Sequence, residues 1–205
     1  MRDGTTDQIR CILVRHGMTA SNESGRYLGV REEPLSEKGI EALLSRKAQG
    51  CYGEVSAWIT SPLSRCVQTG ELLWPGKRHS VIAEFREIDF GEWDGKHYLE
   101  LADDPLYQRF IDSNGETLFP GGEQKAGFIL RVMEGWRCML SLLQKTEWRE
   151  VTTLGLAVHG GTIMALLSEL CGGDYYDYQV PCGEGYCFGL TPLTGEINEV
   201  DRIGY

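Results

Sequence analysis

The apolar positions of this chain fall into short runs, three of which stop on residues able to do chemistry. Cys11-Ile12-Leu13-Val14 runs into Arg15-His16-Gly17, and Ala57-Trp58-Ile59-Thr60 runs into Ser61-Pro62-Leu63-Ser64-Arg65. Leu154-Gly155-Leu156-Ala157-Val158 runs into His159-Gly160-Gly161. Uninterrupted apolar runs of this length, bounded by turn residues, predict strands buried on both faces. The first strand is expected at Ile9 to Val14, the second at Val55 to Thr60, a short third at Ser80 to Ala83 and the fourth at Val151 to Val158.

Helical periodicity fills the gaps between them. Ser36 is placed to cap a helix running to about Gln49, with Ile40, Leu43 and Leu44 at helical spacing. Ser61 as N-cap and Pro62 at the first helical position open a helix through Leu73. Arg65 then sits in the first turn, where backbone N–H groups and the helix dipole favour an anion. Glu123 to Lys145 carries a continuous apolar stripe that includes Ala126, Ile129, Val132, Trp136 and Leu143, as a core helix requires. A helix from Gly161 to Leu170 follows the fourth strand. Tyr186 to Thr191 and Glu196 to Val200, joined by Pro192-Leu193-Thr194-Gly195, predict a terminal β-hairpin.

Strands alternating with helices and ending in a hairpin predict an α/β fold. It is a three-layer αβα arrangement with a mostly parallel central sheet and an antiparallel edge. A chain of 205 residues suits one domain, and no repeat, linker or low-complexity segment divides it. The irregular stretch 97–122, aromatic residues among acids, is expected to be an insertion covering the site rather than a separate domain.

Charge narrows the choice of partner. With 30 acidic and 20 basic residues the formal charge is −10, which excludes a nucleic-acid binder and disfavours anionic membranes. Residues 1–8 hold no apolar run of the kind a secretory signal needs, and no stretch approaches the roughly 18 residues that span a bilayer. The seven cysteines are odd in number, scattered and without a Cys-x-x-Cys pair. Cys182 and Cys187 lack a zinc-site pattern, so reduced thiols in the cytoplasm are expected. Against this acidic background, two arginines and two histidines arrive at strand ends. In open α/β folds that rim is where ligands bind. The combination describes a phosphate site with a nucleophile in it.

The motifs as a set resemble the signature of the histidine phosphatase superfamily, also called phosphoglycerate mutase-like. The resemblance begins at Arg15-His16-Gly17-Met18-Thr19-Ala20-Ser21-Asn22 and includes Gly25-Arg26-Tyr27-Leu28-Gly29 and Pro34-Leu35-Ser36-Glu37-Lys38-Gly39. It continues through Ser61 to Thr69, Arg86-Glu87-Ile88-Asp89-Phe90-Gly91 and His159-Gly160-Gly161, covering nearly the whole chain. The resemblance implies a phosphoglycerate mutase-like fold and His16 as a nucleophile that becomes phosphohistidine. It implies Arg15, Arg65 and His159 as an electrostatic clamp on the transferring phosphoryl oxygens, with His159 acting as imidazolium or as a donor. Asn22 resembles the family's extra phosphate-contacting amide, Thr19 belongs to the same motif, and Gly17 and Gly160 let the backbone approach closely. Glu87 matches the family's acid. By chemistry alone Asp89, Glu92 and Asp94 compete with it, and they are read as a solvated acidic loop. Arg26, Tyr27 and the covering segment are expected to shape the substrate pocket, and Trp93, Tyr98, Tyr107, Phe110 and Phe119 are read equally as lining its apolar part or as core packing. Gln124 departs from the Gly-Glu-Ser that many family phosphatases show after Gly122.

The function implied is a phosphomonoesterase for a small phosphorylated metabolite, with neither cofactor nor metal, working as a monomer or homodimer. Gly-Arg-Tyr-Leu-Gly followed by Pro-Leu-Ser looks most like the α-ribazole phosphatases of cobalamin synthesis, with a small sugar- or glycolytic-phosphate phosphatase fitting nearly as well. A phosphoglycerate mutase is the alternative enzyme class, and a catalytically dead phospho-ligand binder the alternative outside enzymes. All five chemical residues are present, which disfavours the binder. Four histidines dispersed without a His-x-x-x-His or Asp-rich motif disfavour a metal-dependent phosphatase.

Overall fold

The computed structural model describes residues 8–113, 115–117 and 119–203. The expectation that no export signal precedes the first strand falls mainly on residues 1–7, outside the described residues. Six strands form one sheet: β1 (Ile9–Arg15), β2 (Ala57–Thr60), β3 (Arg78–Val81), β4 (Thr153–Val158), β5 (Gly185–Leu190) and β6 (Ile197–Ile203). Their order is β3-β2-β4-β1-β5-β6. β1, β2, β3 and β4 run parallel, β5 is antiparallel to β1, and β6 is antiparallel to β5. This is the parallel sheet with a hairpin edge that the alternating pattern predicts.

Side-chain alternation along the buried strands feeds two cores. Cys11 and Leu13 of β1 join one cluster with Phe128, Val132, Trp136 and Met139 of α5 (Lys125–Leu143) and Ile163 and Leu166 of α6 (Gly160–Cys171). Ile12 and Val14 join the other, with Leu43 of α2 (Glu37–Ala48) and Leu73 of α3 (Ser64–Leu73). Helices thus cover both faces, as a sheet apolar on both sides demands. Two shorter helices, α1 (Ala20–Glu23) and α4 (Pro105–Asp112), belong to the loops above the strand ends. Among the described residues no helix is long and apolar enough to cross a membrane. All seven cysteines are free.

Element boundaries move where long-range pairing outweighs local pattern. β3 lies two residues earlier than its apolar run, because Arg78 and His79 pair with Ala57 and Trp58. The His79 ring stacks on Trp58 at 4.4 Å, which makes up for its polarity. β6 extends beyond Val200 to Ile203 as a half-exposed edge strand. Helix α3 starts at Ser64 with Leu63 at its N-cap, rather than at Pro62 with Ser61 as cap. Glu32 replaces the expected cap from outside, its carboxylate accepting both the Ser64 N–H (3.0 Å) and hydroxyl (2.7 Å).

Register brings the site together. Arg15 pairs with Val158 across β1 and β4, so His16 and His159 leave neighbouring strands side by side. Thr60 of β2 pairs with Ala157, which delivers Ser61 and then Arg65 to the same rim.

Candidate active site

His16 is 3% exposed, and its Nδ1 lies 2.7 Å from the carbonyl of Gly17. A carbonyl only accepts, so Nδ1 carries the proton and Nε2 keeps its lone pair. Burial, then Arg65 and Arg15, hold His16 well below the ordinary imidazole range, so the ring is neutral. A neutral ring with a free Nε2 is the form a nucleophile needs.

Two guanidinium groups flank it. Arg15 Nη1 donates to the Val180 carbonyl at 2.7 Å. Arg65, fully buried in the first turn of α3, donates Nη2 to Gly29 (2.6 Å) and Nη1 to Arg31 (2.8 Å). The Nε of each is buried without a partner. Unpaired buried N–H donors cost about 1–3 kcal/mol each, so two on charged groups beside a buried histidine point to an anion as their partner.

The loop that grips Arg65 is itself held. Asp94 accepts the N–H groups of Gly29 (3.1 Å) and Arg31 (3.2 Å), the residues whose carbonyls take the guanidinium. Glu33 accepts the N–H and hydroxyl of Ser21. Asp94 is therefore part of the frame behind Arg65, which corrects its reading as a solvated acid.

His159 is fully buried at the N-cap of α6, its ring meeting that of His16 edge-on at 5.3 Å. Nε2 pairs with the Ser61 hydroxyl at 2.7 Å, and the Cys66 thiol sits beside the ring. The Ser61 hydroxyl also accepts the Leu63 N–H at 3.4 Å, but Leu63 precedes the first residue of α3, so Ser61 caps no N–H of the helix itself. Burial, then Arg65, His16 and Arg15, push His159 well below the usual imidazole range. The neutral ring is favoured, which suits the hydrogen-bonding role expected of His159 better than the imidazolium.

Glu87 is buried, Oε1 accepting the Ile88 N–H (3.0 Å) and Oε2 that of Gly161 (3.1 Å) in the first turn of α6. Burial raises its carboxyl above the ordinary range, although both N–H groups and Arg65 and Arg15 oppose the shift. The protonated form is favoured relative to a free carboxyl, which suits an acid. Arg131, which the sequence reading missed as a plain helix position, braces this loop. It donates to the carbonyls of Glu84, Arg86 and Glu87 while paired to Glu123 at 2.6 Å.

A cavity of about 470 Å³ opens beside these groups. Arg15, Asn22, Arg26, Tyr27, Glu87 and Gly160 line it; His16, Arg65 and His159 are buried and do not line it, although His16 and His159 adjoin the lining residues Arg15 and Gly160 in the chain. Asn22 Oδ1 accepts the Thr19 N–H, which leaves the amide N–H₂ as the free donor. Arg26 donates to Glu100 (2.9 Å) and to Gly95.

Other expected members fall outside the cavity. Thr19 is fully buried and caps α1, a structural role. Gly17 makes room for Leu43, which a Cβ would approach to 2.5 Å, rather than for a ligand; at Gly160 a Cβ would press on the Arg15 guanidinium at 3.3 Å. Trp93 and Tyr107 belong to the core, and Tyr98 is half exposed. Phe110 and Phe119 do line the cavity, joined by Phe90, Tyr175 and Tyr176. Tyr175 and Tyr176 stand in a 3₁₀ turn without periodicity and gave no sequence signal. Among the described residues, no group of three or more His, Cys, Asp or Glu is placed to hold a metal.

A profile of the histidine phosphatase superfamily (branch 1) matches residues 11–184. Phosphoserine phosphatase 1 of Hydrogenobacter thermophilus is 28% identical over 81% of this chain and 78% of its own length. The adenosylcobalamin/alpha-ribazole phosphatase of Escherichia coli is 25% identical over 80% of each chain. The alpha-ribazole phosphatase structure from Shigella flexneri superposes with a TM-score of 0.79 at 22% identity, over 96% of both chains, and shows the same fold. A phosphoglycerate mutase structure from Thermus thermophilus reaches a TM-score of 0.67 at 28% identity, over 97% of this chain and 99% of that one.

Proposed function

This chain belongs to the histidine phosphatase superfamily, branch 1, and we propose that His16 is its nucleophile and Glu87 its acid. It is a phosphatase acting on a small phosphorylated metabolite, as its phosphatase relatives are. The observation that carries the mechanism is the buried His16, its Nδ1 2.7 Å from the Gly17 carbonyl, beside two arginines whose buried Nε donors lack partners.

Nε2 of His16 attacks phosphorus while the bond to the leaving oxygen breaks. Glu87 gives its proton to that oxygen, so the alcohol departs neutral. The Nε donors of Arg15 and Arg65, with the Asn22 amide, take the phosphoryl oxygens, whose charge spreads in the transition state. His159 adds a hydrogen-bonding group at the same rim. Glu87, now a carboxylate, accepts a proton from the water that attacks phosphohistidine. This releases inorganic phosphate and restores both residues. Residues 97–122 serve as the cover, with Phe110 and Phe119 forming part of the cavity wall.

The names of the relatives suggest phosphoserine or an α-ribazole phosphate as substrate. The likeness to a phosphoglycerate mutase favours one second reading, phosphoryl transfer within a substrate. Quenching turnover of a ³²P-labelled phosphomonoester traps acid-labile label on His16 and liberates inorganic phosphate if the proposal is right. Full turnover by His16→Ala would overturn it, and isomerised ester without free phosphate would establish the mutase.

A further inference from the structure

Ser61 and His159 are both fully buried, and the bond between them is short: Nε2 lies 2.7 Å from the serine oxygen. The proton in that bond can belong to either partner, and its owner decides what His159 can do. Burial and the neighbouring arginines keep the ring neutral. A neutral imidazole has one N–H and one lone pair, so only one of its nitrogens can donate to an anion.

The surroundings of Ser61 settle the ownership. Its oxygen accepts the Leu63 N–H at 3.4 Å, which leaves its own proton to be placed. Two acceptors are in reach of that proton, His159 Nε2 and the Cys66 sulfur. Burial raises the Cys66 thiol well above its usual range, so it keeps its own proton and accepts only weakly, whereas the imidazole lone pair accepts well. The serine therefore donates and Nε2 accepts, which puts the ring proton on Nδ1.

Nδ1 has no oxygen or nitrogen partner among the described residues. Cys66 Sγ stands 3.4 Å from Nε2 and 3.6 Å from Nδ1, too even a division for it to lie on the bond axis of either nitrogen. An N–H at Nδ1 is then a third buried donor without a partner at this rim, after the Nε of Arg15 and the Nε of Arg65. The opposite tautomer would put a bare lone pair there, which repels the anion those arginines require.

We propose that Ser61 is a positioning residue: its hydroxyl donates to His159 Nε2 and fixes the ring as the Nδ1–H tautomer, whose N–H is given to a phosphoryl oxygen. The proposal rests on the phosphatase reading and adds to it how a neutral His159 serves an anion.

Labelling the whole enzyme with ¹⁵N-histidine reads the tautomer by NMR, His159 being identified among the four histidines by its loss in His159→Gln. At neutral pH the free enzyme should show Nδ1 protonated and Nε2 as the lone-pair nitrogen. Titration with inorganic phosphate should shift the Nδ1–H proton. Ser61→Ala should leave a mixture of both tautomers and weaken competitive inhibition by phosphate about 10-fold, the scale of one hydrogen bond to a charged group. Its kcat/KM should fall alike on a primary alkyl phosphate and on 4-nitrophenyl phosphate, because the clamp holds phosphoryl oxygens and not the leaving group. A proton on Nε2 of the wild type, alone or on a charged ring, would overturn the proposal. So would an Nδ1–H that phosphate leaves unmoved, or a single tautomer in Ser61→Ala with phosphate inhibition unchanged. Each of these results leaves the phosphatase standing. Failure of every ester to label His16 would instead overturn the phosphatase mechanism, with the tautomer unaffected.

Discussion

Replacing Glu87 by glutamine keeps the shape of the acid and removes its proton. The two carboxyl oxygens each accept one backbone N–H, from Ile88 and Gly161. An amide satisfies one of them and turns its own N–H₂ toward the other. At a buried position that mismatch costs about 1–3 kcal/mol. A chain of this size should therefore lose about 2–12 °C in Tm, still folded at assay temperature. The kinetic effect depends on the leaving group. With a primary alkyl phosphate the departing alkoxide needs the proton, and kcat/KM should fall about 10²- to 10⁴-fold. A 4-nitrophenolate needs no acid, so kcat/KM for 4-nitrophenyl phosphate should fall less than about 10-fold, because this parameter reports only the steps up to phosphorylation of His16. The second step still lacks its base, so kcat should drop on both esters and phosphohistidine should accumulate as a burst. Steady-state rates on the two esters, with a quenched-flow burst, make the test. Equal losses of kcat/KM on both would refute Glu87 as the acid, however large the loss.

Arg65→Lys keeps the charge but has no fork to span the Gly29 and Arg31 carbonyls with an N–H left over, so competitive inhibition by inorganic phosphate should weaken about 10- to 100-fold. Unchanged inhibition would show that the guanidinium is only structural. Asp94→Ala should raise the same inhibition constant about 10-fold by loosening the loop that carries those carbonyls, with Asp94→Asn in between. Turnover should survive exhaustive chelation, since attack is assigned to a side-chain nitrogen; loss restored by a metal would contradict it. Stability should respond to pH through the buried histidines. His16 and His159 are held below the ordinary imidazole value of 6.5, so the folded state binds fewer protons than the unfolded state just below it, and stability is lost as pH falls through that window. Each contributes up to about 1.4 kcal/mol per pH unit. Glu87, raised by burial, acts in the opposite sense, losing its contribution as pH rises from the ordinary carboxyl range toward its folded value. Urea melts from about pH 5 to pH 7 should show a shallower acid slope for His159→Gln; an unaltered slope would mean that the ring titrates alike in the folded and unfolded states, and a steeper one that it is charged in the fold.

The three apolar runs that end on Arg15-His16, Ser61 and His159 revealed the sheet and the centre of the site. Strand burial and β1–β4 register are enough to bring those residues together. What the sequence concealed depends on partners far away in the chain. Ser61 has the local pattern of a helix cap, yet its hydroxyl is drawn to His159, 98 positions on. Asp94 looks like one acid among several until the backbone of Gly29 and Arg31 folds onto it. Arg131 is polar on an otherwise apolar helix, and only the packed loop at 84–87 gives its guanidinium three carbonyls to hold. Tyr175 and Tyr176 were invisible for another reason: a four-residue turn has no period to read. For Trp93 and Tyr107 the sequence leaves wall and core equally open, because composition cannot tell one from the other; packing puts both in the core.

Arg15 is anchored from the far end of the chain. Its side chain is held by the Val180 carbonyl, its N–H by that of Glu184, and the Gly183 N–H reaches back to the carbonyls of both Arg15 and His16. The Tyr52 hydroxyl fixes Gly183 in turn. During synthesis, Arg15 and His16 are made long before these partners, so the hydrogen bonds that hold them cannot all form until residue 184 has left the ribosome. A growing chain therefore carries the proposed nucleophile while the contact that holds its neighbour Arg15 waits for a residue 165 positions beyond that arginine.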